Sequence, residues 1–229
     1  PINGVETVAI RSALQRIVAR PIRSGINVPS HTNSAMDGYA IKASDIPSKG
    51  TSQLRNIGTS WAGRPFGGEI QPGECVRIMT GAALPAGADT IVMQEHTQVD
   101  GEQITITDRE TPGQNVRNAG EDLAAGDIVF DAGQRLSPAD IGLLASIGIS
   151  EVPVVRKLRV AFFSTGDELR SIGEPLECGQ IYDSDRYTIW SMLQRLASID
   201  VIDMGVVRDT RAEVEQAFIS ASECADVVI

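Results

Sequence analysis

Arg159-Val160-Ala161-Phe162-Phe163-Ser164-Thr165-Gly166-Asp167-Glu168 is an almost unbroken apolar run that ends in small and acidic residues. Apolar character without alternation is what a parallel strand covered on both faces requires, so Arg159 to Ser164 reads as a buried strand. Downstream, Ile189, Met192, Leu193 and Leu196 recur at helical spacing within 185–197, and Val201 to Val207 reads as a second strand. Thr210 and Glu213 form a capping box for a helix carrying Val214, Ala217, Phe218 and Ala221, and Ala225 to Ile229 reads as a third strand. Strand, helix, strand, helix, strand predicts a doubly wound α/β domain with right-handed crossovers. In such sheets ligands bind beyond the carboxyl ends of the strands, which is where Ser164-Thr165-Gly166-Asp167-Glu168 falls. The sequence stops at the end of a strand, so the next such loop is expected in a longer protein of which these residues are a part.

Upstream of that run, Ser137-Pro138-Ala139-Asp140 opens a helix: Ser137 as N-cap, Pro138 at the first helical position, Asp140 placing negative charge in the first turn. Ile141, Leu143, Leu144 and Ile147 follow, and Gly148 suits the stop. Near the N-terminus Ile10, Ala13, Leu14, Ile17 and Val18 recur at helical spacing, which predicts an amphipathic helix from Thr7 to Ala19 ended by Pro21. Between Ser24 and about Asp127, short apolar runs alternate with Gly, Pro and Asp, as in β-structure. Asp100-Gly101 between two of them is a hairpin signal. The two helices flank this β region in sequence and are expected to pack together, with the β module inserted between them. The expected division is 1–23 with 127–154 as an elongated helix-containing domain, 24–126 as an inserted mostly-β domain, and 155–229 as an incomplete α/β domain.

At 229 residues the chain can build one large domain or two modest ones, and 42% hydrophobic with 22% charged residues is a globular composition. A net charge of -10 opposes nucleic acid and anionic membranes, and 4% aromatics leaves little to stack bases on. An anionic substrate needs a local positive patch or a bound cation against that field. Cys75, Cys178 and Cys224 are odd in number and far apart, which suggests small buried thiols in a reducing compartment. His31 and His96 are too few for a multi-histidine zinc site, and His96, in a strand-like run, reads as structural. With no leader pattern and no run of about 18 apolar residues, the expected location is the cytoplasm.

The functional signal lies in four turns that combine small residues with acids or hydroxyls. They are Asn33-Ser34-Ala35-Met36-Asp37-Gly38-Tyr39-Ala40, Met79-Thr80-Gly81-Ala82, Ala119-Gly120-Glu121-Asp122 and Ser164-Thr165-Gly166-Asp167-Glu168. Gly38 permits φ > 0 or close approach to a ligand beside the Asp37 carboxylate. A single such turn is better explained by Asp37 capping its neighbours' N–H groups. Four of them read as parts of one site. Asp183 or Ser184 could equally serve as the N-cap of the helix after Gly179-Gln180-Ile181-Tyr182-Asp183-Ser184, and Asp209-Thr210 sits at the ligand-binding edge but could be only a cap. Arg77, Arg117 and the N–H groups near Gly120 are the positive features of the β module. Carboxylates and hydroxyls without paired thiols or imidazoles suit a hard cation such as Mg²⁺, and hence phosphate chemistry. No Walker A, G-x-G-x-x-G or G-x-S-x-G pattern supports a kinase, a dinucleotide enzyme or a serine hydrolase.

Asn33 to Ala40, Arg77-Ile-Met-Thr-Gly-Ala82, Gln114-Asn-Val-Arg117 with Ala119-Gly-Glu-Asp122, Ser164-Thr-Gly-Asp-Glu-Leu169 and Gly179 to Ser184 occur in the order found in molybdopterin molybdenumtransferases, and the chain resembles that family of bacterial MoeA proteins, plant insertases and gephyrin E-domains. The resemblance implies an elongated homodimer with an inserted β domain, an α/β domain like the molybdopterin adenylyltransferase, and a C-terminal β-barrel. It implies insertion of molybdate into the dithiolene of adenylylated molybdopterin with Mg²⁺-dependent release of AMP, and contact with the adenylyltransferase as a partner. By motif it implies Asp37, Thr80 and Asp122 from the β module and Glu168 and Asp209 from the α/β domain as catalytic residues meeting across the subunit interface. Asp122, Glu168 and Asp209 are implied to hold Mg²⁺, and Thr165, Gly166, Asp167, Tyr182, Asp183 and Ser184 to bind molybdopterin. Asp185 stands where the family usually has Asn, which adds negative charge near the pocket, and the family's next glycine- and serine-rich loop with its acid lies past Ile229. These residues are therefore not expected to catalyse alone. The rival expectations are a gephyrin-type scaffold and a metal-dependent phosphohydrolase acting on another nucleotide-linked substrate.

Overall fold

The computed structural model describes residue 2 and residues 4–229, and the chain divides into two compact units, Arg23–Ile128 and Pro1–Ile22 with Val129–Ile229. The first is built on six strands: β1 (Gly38–Ile41), β2 (Thr51–Ser60), β3 (Glu74–Ile78), β4 (Thr90–Met93), β5 (Gln98–Asp100) and β6 (Gln103–Thr107). They lie side by side as β4-β1-β3-β2-β6-β5. Each pair is antiparallel except β2 with β3. All four residues of β1 are buried because alternate side chains feed two cores. Tyr39 and Ile41 pack with Leu54, Cys75, Val92, Ile104 and Ile106, while Ala40 packs with Ile70, Val76, Ile78, Ala82 and Ile91. The β5–β6 hairpin closes between Asp100 and Gln103, with Gly101 at φ 60°, a conformation glycine adopts without strain.

The N-terminal helix expected over Thr7–Ala19 does not form. Val5–Ala9 is instead a strand antiparallel to Glu151–Val155, followed by a 3-10 turn at Ile10–Ser12 and by Gln15 at φ 63°, which no α-helix accommodates. Helical spacing would have buried Leu14 with Ala13 and Val18, yet Leu14 is 45% exposed while the other two are fully buried. Thr7, Val8, Ile10, Ile17 and Val18 are β-branched, so strand pairing with a partner remote in sequence outweighs a short apolar stripe. The expected packing of two flanking helices is replaced by an irregular core of Ala13, Val18, Ile22, Phe130, Leu136, Leu144, Val152 and Val154.

The helix α1 (Pro138–Ser146) has the expected start, a full capping box in which Asp140 N–H donates to Ser137 and Ser137 N–H donates to Asp140. Beyond it, β7 (Leu158–Thr165), α2 (Ser184–Gln194), β8 (Ile199–Val207), α3 (Arg211–Cys224) and β9 (Val227–Val228) form the α/β part, with parallel strands in the order β8-β7-β9. The chain therefore steps to one side of β7 and then to the other, which makes the carboxyl end of β7 a topological switch point. Thr210 accepts from Glu213 N–H and caps α3. The second helix ends at Gln194 with Arg195 as its C-cap, three residues short of the 185–197 expectation.

Arg156 fastens this unit at the start of β9. Both of its Nη atoms donate to the Asp226 carboxylate at 2.6 Å, and Arg159 N–H adds a third bond at 2.9 Å. The guanidinium first and the amide second hold the Asp226 carboxyl well below its ordinary 3.8. A carboxyl whose folded pKa is depressed contributes stability above its unfolded pKa and loses it as pH falls through the folded one. Acid unfolding of the native protein between about pH 4 and pH 2 is therefore expected to be steeper than that of Asp226→Asn, and the variant is expected to unfold at lower temperature at pH 7. Scans at both ends of that range check this; equal acid sensitivity would rule it out.

Of the three free cysteines only Cys75 is a buried thiol, with its pKa pushed up to about 12 by burial; Cys224 is half-buried and Cys178 is exposed, against the sequence expectation. Among the described residues no helix is long and apolar enough to cross a membrane.

Candidate active site

In the β unit, the Thr80-Gly81 turn and the Val116–Arg117 strand flank the segment that carries Asp37. Ser34 pairs with Val116 and Asn33 with Arg117, Ser34 N–H donates to Ala82 O, and Gly81 N–H donates to Ser34 O. The chain from Asn33 to Asp37 thus runs between the Thr80-Gly81 turn and the Arg117 strand. Thr80 donates twice to one Asp37 oxygen, from its N–H at 2.7 Å to Oδ1 and from its hydroxyl at 2.8 Å to the same atom. Those two bonds, the backbone one first, lower the Asp37 pKa despite partial desolvation, and Arg77 adds a favourable charge. Asp37 is therefore a fixed carboxylate rather than the cap of its own turn, and its Oδ2 makes no hydrogen bond with the described residues.

Arg77 lies with its guanidinium 5.1 Å from the Tyr39 ring centre and donates to Gln94. Its neighbour Glu95 is lowered by hydrogen bonds from its own backbone and from Gln94, and raised by the Asp37 charge. His96 belongs to the 3-10 turn Gln94–His96, not to a strand, and its Nδ1 lies 3.3 Å from the buried Glu110 carboxylate.

Asp122 stands differently. Arg117 donates to Glu121 Oε1 at 2.6 Å and to Asp122 Oδ2 at 2.5 Å, and Asn118 N–H donates to Glu121 Oε2 at 2.7 Å. The Glu121 carboxyl is lowered, by Arg117 first, and Arg117 is raised by Glu121 and then Asp122. Gly120, at φ 76°, lets the loop turn back so that its N–H reaches Pro29 O and Asp122 N–H reaches Val28 O. A carboxylate that has an arginine on one oxygen keeps the other for a ligand.

In the α/β part, Ser164 and Thr165 are the last residues of β7 and Gly166 N–H donates to Val207 O, so the loop leaves the sheet at the switch point. The side chains of Asp167, Glu168 and Asp209 form no hydrogen bond with the described residues, and because Thr210 supplies the α3 cap, Asp209 has no capping role. A cavity of 620 Å³ opens here, lined among others by Gly166, Asp167, Arg170, Ser171, Arg208 and Thr210. Beside it a smaller one of 210 Å³ is lined by Ser164, Thr165, Tyr182, Asp183, Ser184 and Asp185. Asp183, not Ser184, is the N-cap of α2, its Oδ1 accepting from Arg186 N–H at 3.1 Å, while its buried Oδ2 has no partner. Tyr182 is fixed through its hydroxyl to Glu174 O at 2.9 Å. Arg170 and Arg208 carry no expectation in the sequence, where acids draw the attention and a single arginine near a strand end is ordinary.

The donor types suit a hard cation, but among the described residues no three His, Cys, Asp or Glu side chains converge closely enough to hold one.

Residues 1–148 match the family described as "MoeA N-terminal region (domain I and II)", and residues 161–229 match "Probable molybdopterin binding domain". The chain belongs to the MoeA family. It is 46% identical over 225 residues to the molybdopterin molybdenumtransferase of Haemophilus influenzae, covering 98% of this chain and 55% of that protein. It is 33% identical over 254 residues to the gephyrin of Dictyostelium discoideum, covering 99% of this chain and 35% of that one. The crystal structure of the molybdopterin biosynthesis MoeA protein from Pyrococcus horikoshii superposes with a TM-score of 0.88 at 30% identity, over 98% of this chain and 60% of that chain. The chain spans about half the length of the curated relatives it matches. Within this MoeA chain, Asp37, Thr80 and Asp122 fall in the first matched region, and Glu168 and Asp209 in the second.

Proposed function

We propose that the chain is the N-terminal part of a molybdopterin molybdenumtransferase, which inserts molybdate into the dithiolene of adenylylated molybdopterin with release of AMP. The observation that carries this reading is the 620 Å³ cavity at the switch point, in the region that matches a probable molybdopterin binding domain. Arg170 and Arg208 line it and suit the pyrophosphate of an adenylylated pterin; Thr165, Gly166, Asp167, Tyr182, Asp183 and Ser184 are assigned to the same ligand. Asp37, held ionised by Thr80, shapes the molybdate and dithiolene end. The assigned Mg²⁺ ligands are Asp122, Glu168 and Asp209, and a bound Mg²⁺ supplies positive charge that offsets the phosphates. Completion of that set across a homodimer is part of the proposal, as are contact with the molybdopterin adenylyltransferase and a cytoplasmic location.

The division into 1–23 with 127–154, 24–126 and 155–229 belongs to the same reading, and the compactness of Arg23–Ile128 supports its middle member. On it the present residues alone are inactive.

The test is AMP release from adenylylated molybdopterin with Mg²⁺ and molybdate. The samples are the 229-residue chain, a full-length protein containing it, and full-length Asp122→Ala. Molybdate-dependent release from the full-length protein, reduced about 10²-fold in the variant, is the expected result. No release from a folded full-length dimer would move the assignment to a gephyrin-type scaffold. Release indifferent to molybdate, and inhibited by other nucleotide-linked compounds, would move it to a phosphohydrolase.

A further inference from the structure

At the other end of β8 from the candidate active site, a cavity of 420 Å³ is lined by Gln15, Arg135, Arg195, Leu196, Ala197, Ser198 and Ile199. Ile199 begins β8 and Val207 ends it, so the two sites are separated by roughly 26 Å of strand. The chain carries 30 acidic residues against 20 basic ones, yet this cavity has two arginines and no carboxylate in its wall. Arg16, Arg55, Arg117, Arg156 and Arg186 each meet an Asp or Glu. Among the described residues, the Arg135 and Arg195 guanidiniums make neither an ion pair nor a hydrogen bond, and both residues are exposed.

Each arginine taken singly has an ordinary explanation. Arg195 is the C-cap of α2, where a cation complements the helix dipole, and Arg135 could be simply solvated. What those explanations leave out is the wall between them. Gln15 sits at φ 63°, a conformation that costs a non-glycine residue about 1–2 kcal/mol. It is pinned on both sides, its N–H donating to Leu136 O at 2.8 Å and its carbonyl accepting from Ser198 Oγ at 3.1 Å. The same contacts tie Leu136, the residue after Arg135, and Ser198 in the turn after Arg195 to one residue, so both arginines project from fastened backbone.

We propose that this cavity binds a doubly charged tetrahedral oxyanion of the phosphate type. Two guanidinium forks match the oxygen geometry of such an ion, and the absence of a competing carboxylate lets them act on it. The volume exceeds that of a bare oxyanion and has room for the organic part of a phosphate monoester. The ion bound here is distinct from any held at the Ser164–Glu168 edge.

Calorimetric titration at constant ionic strength tests this, using inorganic phosphate, sulfate, molybdate and glycerol phosphate as probes. Native protein is compared with Arg135→Gln, Arg195→Gln, the double variant, and Arg64→Gln as an exposed arginine in the other unit. Saturable binding is expected, weakened about tenfold by each single substitution and beyond detection in the double one, with Arg64→Gln unchanged. Binding of the inorganic ions identifies a free oxyanion; binding of glycerol phosphate alone identifies the phosphate of an organic ligand. The proposal fails if no probe saturates below about 10 mM, if the double variant binds as the native protein does, or if Arg64→Gln loses as much as the cavity variants. Thermal unfolding without anion confirms that each exposed variant is folded.

Discussion

Gly38→Ala is expected to destabilise the β unit by about 3 kcal/mol or more, lowering its unfolding temperature by roughly 6–12 °C. A Cβ at Gly38 would lie 2.0 Å from the Val92 carbonyl oxygen, 2.9 Å from its carbon and 3.1 Å from Met93 Cα. All three are backbone atoms of β4, which is hydrogen-bonded to β1 along its length, so no rotamer change relieves the overlap. Relief requires β4 to move away from β1, which disturbs the packing of Tyr39 against Val92 and of Ala40 against Ile91 on both sides of the sheet. Gly81→Ala is the informative contrast: its added Cβ meets nothing within 4 Å, and only φ 77° opposes it, at about 1–2 kcal/mol. Thermal and urea unfolding of both variants measure the difference. A Gly38→Ala protein within about 1 kcal/mol of native would show that the strands tolerate separation there.

Gly38 also marks where reading the sequence reached its limit. The sequence predicts that Gly38 permits φ > 0 or approach to a ligand. It does neither: its φ is not positive, and what approaches is the neighbouring strand. That distinction depends on which strand lies alongside, information that residues 33–40 do not carry. The same holds for Thr7–Ala19, where a helical stripe of apolar residues lost to the pairing of Val5–Ala9 with Glu151–Val155, a partner 142 to 150 positions away along the chain at the aligned residues. Where the determinants are local, the reading succeeded. Ser137, Pro138 and Asp140 set the start of α1 within four residues, and the nearly continuous apolar run of β7 signalled its burial as the central parallel strand. The acids of the candidate site stood out only by repetition, because one acid in a small-residue turn is ordinary as a cap and four such turns in one chain are not. Its arginines, Arg170 and Arg208, did not, because a single arginine near a strand end is ordinary until the cavity around it is known.

On the proposed function, the largest effect on activity is expected at Asp37 and Thr80. On the proposed reading, Asp37→Asn lowers turnover of the full-length protein about 10²-fold, because the amide removes the negative charge and replaces one acceptor with a donor. Thr80→Val keeps the shape of the side chain but removes the hydroxyl bond at 2.8 Å, leaving the backbone bond at 2.7 Å to hold the carboxylate; about a tenfold loss is expected. If Thr80 acts by orienting Asp37, the two losses do not add, and the double variant is no slower than Asp37→Asn alone. A pH profile separates this from a merely structural role. Thr80 holds the Asp37 carboxyl below its ordinary range, so in the native protein Asp37 stays ionised to low pH and sets no acid limb near neutrality. Removing the hydroxyl raises the Asp37 pKa, so an acid limb in Thr80→Val is expected to move toward neutrality, and Asp37→Asn is expected to lack that limb. Additive losses, or identical profiles for native protein and Thr80→Val, would place Thr80 outside the chemistry and leave Asp37 to act without it.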